Sequence, residues 1–376
     1  MDVENMTKSP INNQSPNNSH LGRSNQALQP ISPPDAVESF LDSRKYELSS
    51  STVNRYSAKL NYFIEFCEQY EISNLNNLSG RDVEAYRSWR RHESSDKVDT
   101  LDSTTLRDDM YLLRAFLLYL TRIEGVAFWV PEKVSIPEVE QGKGIRDVDI
   151  SRERLDEVID HLESFYYASR AHVIWLLLSQ TGRRPGGIHS LDVDDLHDSG
   201  GDTYLEFKHW GEGTRLKNGV NGEQQVWIRE STAAVIRDYI EHNRVDVVED
   251  DRQPLLTSSQ GRISKSTIRR CIYKWTRPCQ ITGECPEKRD IDECEAANSL
   301  GRASRCPLSK PPYALRHGFI SEMRRGGLPK AVISERCDVS EEIIDIHYDE
   351  RTTEEKRTYR QNMMNEYLEQ NAGYFR

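Results

Sequence analysis

No stretch of the 376 residues is long and apolar enough to cross a bilayer: the longest apolar run, around Val173 to Leu178, is far short of the roughly 18 residues required. The first residues hold no apolar signal region, so a cytoplasmic protein without a membrane part is expected. No CxxC pair occurs among the seven cysteines, four of which are bunched between 279 and 306. That distribution is unlike a secreted disulfide framework and closer to free thiols plus one local metal site. An excess of positive charge is missing too, since 50 Lys and Arg face 61 Asp and Glu for a net charge of -11. Taken alone this total speaks against nucleic acid, whose phosphates are met by Lys and Arg. Segregated charges escape that objection, so local patches decide. The acidic balance also suits a high-salt cytoplasm, where electrostatic reach is only a few ångströms. No internal repeat is present.

What is there divides into two domains, each long enough for its own core. Residues 1–33 are rich in Asn, Ser, Pro and Gln and read as a disordered tail. In 51–67 the residues Val53, Tyr56, Leu60, Phe63, Ile64 and Cys67 recur at helical spacing, with Ser51 or Thr52 as the expected cap. Leu106, Met110, Leu113, Phe116, Leu117 and Leu120 repeat the pattern, which predicts a small helical domain over 36–130. A helical interaction domain fits that pattern equally well. Two prolines and two glycines without periodicity mark 131–147 as a linker. A second domain is expected over 148–362, where Ser151 caps a helix and YLEF, TRLK and QVWI are short strand candidates. Residues 363–376 form a tail. The fold class is therefore mainly α with a small antiparallel β-sheet.

In TGRRPGGIHSL, Gly182 stands where a helix stops and Pro185 where the next begins, with Arg183 and Arg184 in the turn. Such a turn can offer backbone N–H groups and forked guanidinium donors to a phosphate, or be a plain solvated turn. Residues 261–277 add Arg262, Lys265, Arg269, Arg270, Lys274 and Arg277 with no acidic residue, while Ile268, Ile272 and Trp275 can face a core. This stripe is a candidate DNA surface, or a soluble helix face.

TGRRPGGIHSL resembles the first arginine box of the tyrosine recombinase (phage integrase) family, and YALRHGF its second. The resemblance runs from about 36 to 362 and extends to halophilic archaeal members. It implies a helical core-binding domain and an α+β catalytic domain closing on double-stranded DNA as a homotetramer. It puts Arg184 and Arg316 on the catalytic arginines, Lys217 on the hairpin lysine with Lys208 as runner-up, and Tyr348 on the nucleophile. It also implies cleavage through a 3′-phosphotyrosyl link, with no cofactor required. Tyr313 stands where the family opens its second box with histidine, and Gly187 where an acidic residue is usual. Asp338 or Val339 replaces a later His or Trp, and His317 is a support residue. These departures leave a second reading, a weakened or inactive DNA-binding protein of the same fold; a third is a zinc-stabilised interaction module. Cys279, Cys285, Cys294 and Cys306 are candidate ligands of a structural zinc, with two disulfides or free thiols as alternatives. The helix around Met363, Met364, Tyr367 and Leu368 is expected to pack on a neighbouring subunit or on its own domain.

Overall fold

The computed structural model describes residues 27–94, 99–139, 150–199, 201–211, 213–348 and 352–371. Most of the expected tail and the second half of the expected linker lie outside them. Two units emerge, divided between residues 143 and 144.

The first unit is built from α1 (Pro33–Arg44), α2 (Ser50–Gln69), α3 (Gly80–His92) and α4 (Ser103–Arg122). Their apolar faces meet around Phe40, Phe63, Phe66, Leu113 and Phe116. The cap of α2 is Ser49 rather than Ser51 or Thr52, because its hydroxyl is the one that accepts the Thr52 amide. Residues 27–33 are ordered, in contrast to the expected tail: the Ile31 carbonyl accepts the Leu75 amide at 3.0 Å, and Ser32 caps α1. Val134 and Ile136, expected in the linker, instead close the same apolar core. Asp109, 4% exposed, is neutralised by Lys59 and Arg90 at 2.7 and 2.9 Å.

The second unit is organised around α6 (Arg170–Thr181), which is buried on nearly every face as an all-round apolar helix must be. Around it stand α5 (Arg152–Phe165), α7 (Pro185–Ser190), α8 (Glu230–Asp238) and α9 (Lys265–Thr276). Strands β1 (Leu196–Ser199), β2 (Asp202–Phe207) and β3 (Gln224–Trp227) form an antiparallel sheet in that order. Leu205 opposes both Leu196 and Val226, and Thr203, Leu205 and Phe207 turn inward. TRLK is not a strand: Thr214 and Leu216 are buried at alternate positions, but among the described residues no neighbouring strand pairs with them. Gly213, at φ 94°, and the 3₁₀ turn Gly219–Gly222 bend the chain away. A two-residue pair, β4 (Thr257–Ser258) and β5 (Gly261–Arg262), leads into α9.

Two four-residue helices follow, α10 (Cys279–Thr282) and α11 (Glu295–Asn298), then α12 (Pro312–Arg325), α13 (Lys330–Cys337), α14 (Glu341–His347) and α15 (Thr353–Gln370). The expected tail from 363 is the end of α15, none of whose residues is fully buried. Among the described residues no helix is long and apolar enough to cross a membrane.

Candidate active site

The end of α6 sets the first arginine. Gly182 stops that helix at φ 64°, and a Cβ there would stand 2.4 Å from the Phe319 ring of α12. Only glycine allows both the left-handed turn and the close approach. The contact brings the second box to the first across 134 residues: Arg316 Nη1 donates to the Gly182 carbonyl at 2.8 Å. Arg316, 3% exposed, also donates to the Cys337 carbonyl, so α13 is clamped to the same point.

Asp338 ends α13 in the left-handed region at φ 54°, a conformation that aspartate adopts more readily than most residues. Its main-chain oxygen accepts Arg184 Nη1 at 2.6 Å and Arg316 Nη2 at 3.4 Å. Its carboxylate accepts Arg184 at 3.0 Å and Asn218 Nδ2 at 2.5 Å. One residue therefore holds both arginines through its backbone and neutralises one of them through its side chain. Burial first, then the charge of Arg316, lowers the Arg184 pKa from its ordinary value.

Tyr348 follows α14 and is 3% exposed, its ring packed among Ile320, Ile333, Val339 and Ile344. His317 Nε2 lies 3.1 Å from the His347 carbonyl. A carbonyl only accepts, so Nε2 carries the proton and His317 fixes the end of α14. The His317 and Tyr313 rings stand 5.1 and 6.3 Å from the Tyr348 ring. Burial, and after it a hydrogen bond with Tyr348, pushes the Tyr313 phenol above the usual tyrosine value. Tyr313 thus keeps its proton and acts as a donor rather than a base.

Arg184, Lys265, Arg269, Tyr313, Arg316 and Tyr348 line one open cavity of about 650 Å³. Lys265 comes from the first turn of α9 and approaches Gly186, where a Cβ would lie 4.0 Å from its Nζ. Burial, then the charges of Lys265 and Arg262, pulls the nearby His189 down to about 4, so that imidazole is neutral. Among the described residues neither Lys265 nor Arg269 has a carboxylate partner. A second cavity of about 380 Å³, lined by parts of α5 and α12, contains none of these six side chains.

Other expected residues are placed differently. Arg183, expected on DNA, is 2% exposed, donates to the Gly222 carbonyl at 2.9 Å and stacks on Phe207 at 4.5 Å. Arg262 is consumed internally, its side chain 7% exposed and paired with Asp192 at 2.6 Å. Arg277, the last of the expected stripe, is buried against the Ala296 carbonyl. Arg270 folds back on Ser266, and the Lys274 ammonium lies over the Trp275 ring at 4.8 Å. The free part of the stripe is therefore Lys265 and Arg269. Lys217 is exposed and outside the cavity, although its neighbour Asn218 touches Asp338. Lys208 is held by Glu206 and Asp195 at 2.8 and 3.2 Å. The four cysteines of 279–306 gather elsewhere, ahead of α12.

This division gives a testable contrast. Arg262→Ala leaves Asp192 buried with Arg252 alone and is expected to cost about 3 kcal/mol of stability, the lower end for a broken buried pair. Arg269→Ala removes an exposed side chain and is expected to leave Tm unchanged. If chemical denaturation shows equal stability for the two variants, the buried assignment of Arg262 fails.

Residues 38–124 match the phage integrase N-terminal SAM-like domain. The solved structures similar to the chain include a site-specific recombinase and two integrases. XerH site-specific recombinase bound to difH has 14% identity over 87% of this chain and 84% of its own, with TM-score 0.57. The Tn1549 transposon integrase with transposon right end DNA has 13% identity over 91% and 100%, with TM-score 0.58. The lambda integrase dimer bound to a COC′ core site has 9% identity over 88% and 78%, with TM-score 0.53. No curated protein matches the sequence.

Proposed function

We propose that this chain, which carries a phage-integrase N-terminal SAM-like domain and has the fold of the tyrosine recombinases, is a site-specific DNA recombinase that cuts and rejoins double-stranded DNA through Tyr348. The observation that supports this best is the convergence of Arg184, Arg316 and Tyr348 on one open cavity with Lys265 and Arg269. Attack on a phosphodiester builds charge on the nonbridging oxygens, and two fixed guanidinium forks oppose it. The Tyr348 oxygen bonds to phosphorus as the bond to the 5′ oxygen breaks. The phenol gives its proton to solvent water, and the departing 5′ oxygen gains one. The products are a 3′-phosphotyrosyl link and a 5′-hydroxyl. A new 5′-hydroxyl reverses the step, and because the link conserves the bond energy, no cofactor is required.

Delivery of the proton to the leaving oxygen is assigned to Lys217, on the loop whose Asn218 already reaches Asp338. General-acid help of this kind is worth about 10²–10⁴-fold. Tyr313 donates a hydrogen bond where an imidazole would otherwise stand. Lys265 and Arg269 track the backbone of the bound duplex. The exposed Met363, Met364, Tyr367 and Leu368 of α15 supply contacts between chains, four of which act on two DNA sites.

Asp338 competes with the phosphate for Arg184 through its carboxylate, while its carbonyl holds the arginines in place. Asp338→Asn is therefore expected to keep cleavage and to tighten DNA binding about 2- to 5-fold, the scale of a partly exposed ion pair. Unchanged affinity with slower cleavage would make the carboxylate a positioning group instead.

The test of the function is a nicked duplex selected for binding from random sequences and incubated with the chain in buffer to which no metal ion and no chelator is added. A covalent protein–DNA band on a denaturing gel is the expected result. Salt-dependent binding without that band would favour the DNA-binding reading in which the chemistry has been lost.

A further inference from the structure

Residues 278–310 stand between α9 and α12 with almost no apolar core of their own. The fully buried apolar residues in this segment are Ala296 and Ala303, Ile281 is partly buried against the core of the second unit, and Leu300 is exposed. The conformation is nevertheless closely specified. Gly283 is left-handed, Cys294 stands just ahead of α11 and its carbonyl accepts the Ala297 and Asn298 amides, and Cys306 follows a 3₁₀ turn. Methyl burial on this scale falls well short of the backbone entropy of ordering such a segment, about 1–2 kcal/mol per residue.

Cys279, Cys285, Cys294 and Cys306 all line one enclosed space of about 20 Å³, and all four are free thiols. We propose that these four cysteines form a structural zinc site that holds the segment together and fixes the start of α12. The donor set is soft and sulfur-only, which selects zinc over hard cations. Four thiolates around one Zn²⁺ carry a net charge of −2, and Arg277 and Arg289 line the same space with one acidic residue, Glu287. Among the described residues no three ligand side chains already converge on a point, so the ion draws the thiols inward as it binds and their protons leave.

The segment is coupled directly to the elements that carry the cavity residues. Thr276 Oγ1 accepts the Lys310 amide at 2.8 Å, and Arg277 bonds Gln280 at 2.9 Å as well as the Ala296 carbonyl. Pro312 and the helix bearing Arg316 begin immediately afterwards. The metal serves this scaffold and takes no part in the chemistry, so the inference stands or falls apart from the recombinase reading.

The experiment is the metal content of the full chain purified without chelator, followed by Co²⁺ titration of chain refolded from denaturant. About one zinc per chain is expected, with Co²⁺ giving the intense bands of a tetrahedral thiolate site. Cys285→Ser with Cys294→Ser should lower zinc content at least about fivefold, whereas Cys271→Ser should leave it unchanged. Because the double variant can fail simply by misfolding, the Co²⁺ spectrum of the unaltered chain is decisive. Two disulfides in the native protein, or four free thiols with neither zinc nor a Co²⁺ spectrum, would overturn the site.

Discussion

Tyr348→Phe is expected to abolish the covalent protein–DNA band while leaving the fold and DNA affinity in place. The ring is packed among Ile320, Ile333, Val339 and Ile344, and phenylalanine fills the same space. What is lost is the nucleophilic oxygen and the hydrogen bond with Tyr313, the latter worth about 1 kcal/mol. Stability should therefore fall slightly, and binding measured by anisotropy should change little. No other atom of the phenyl ring can attack phosphorus, so the band should fall below detection rather than weaken. Persistence of the band in Tyr348→Phe would point to Tyr313, whose ring is 6.3 Å away, and would require Tyr313→Phe to remove it.

The second large effect concerns the arginines. Arg184→Ala is expected to slow cleavage about 10²–10³-fold, the usual cost of removing one fixed donor to a developing oxyanion. Its side chain is 34% exposed, so the fold should tolerate the change. Arg316 is different, because its guanidinium also supports the carbonyls of Gly182 and Cys337. Arg316→Ala confounds folding with chemistry, whereas Arg316→Lys keeps the charge and loses the fork. Single-turnover cleavage with Arg316→Lys should fall by a similar factor while binding holds. Equal cleavage by the lysine variant would mean that charge alone, and not paired donors, does the work.

The elements with strong apolar periodicity were legible in the sequence, namely α2, α4 and α9, as were the stop at Gly182 and the start at Pro185. The pairing of Arg184 with Arg316 could be expected only from box order and spacing, since the link is a tertiary contact between Gly182 and Phe319. Arg183 and Arg262 show the limit of reading charge from sequence. Arg183 sits beside Arg184 and Arg262 just ahead of α9, yet Gly222, Phe207 and Asp192, all distant in sequence, take them into the interior. Lys265 and Arg269, four residues apart on α9, share the cavity face. The role of Asp338 was not legible either. Its position marked a departure from the family pattern, but a left-handed residue offering its carbonyl to two arginines is a property of the folded chain.

Identification of the linked residue tests the account most directly. The covalent complex would be trimmed with nuclease, digested with trypsin and analysed by mass spectrometry. A nucleotide remnant on Tyr348, joined through its phosphate, is the expected result. A remnant on another residue, or no remnant from chain that binds the DNA firmly, would contradict the assignment of Tyr348 as the nucleophile.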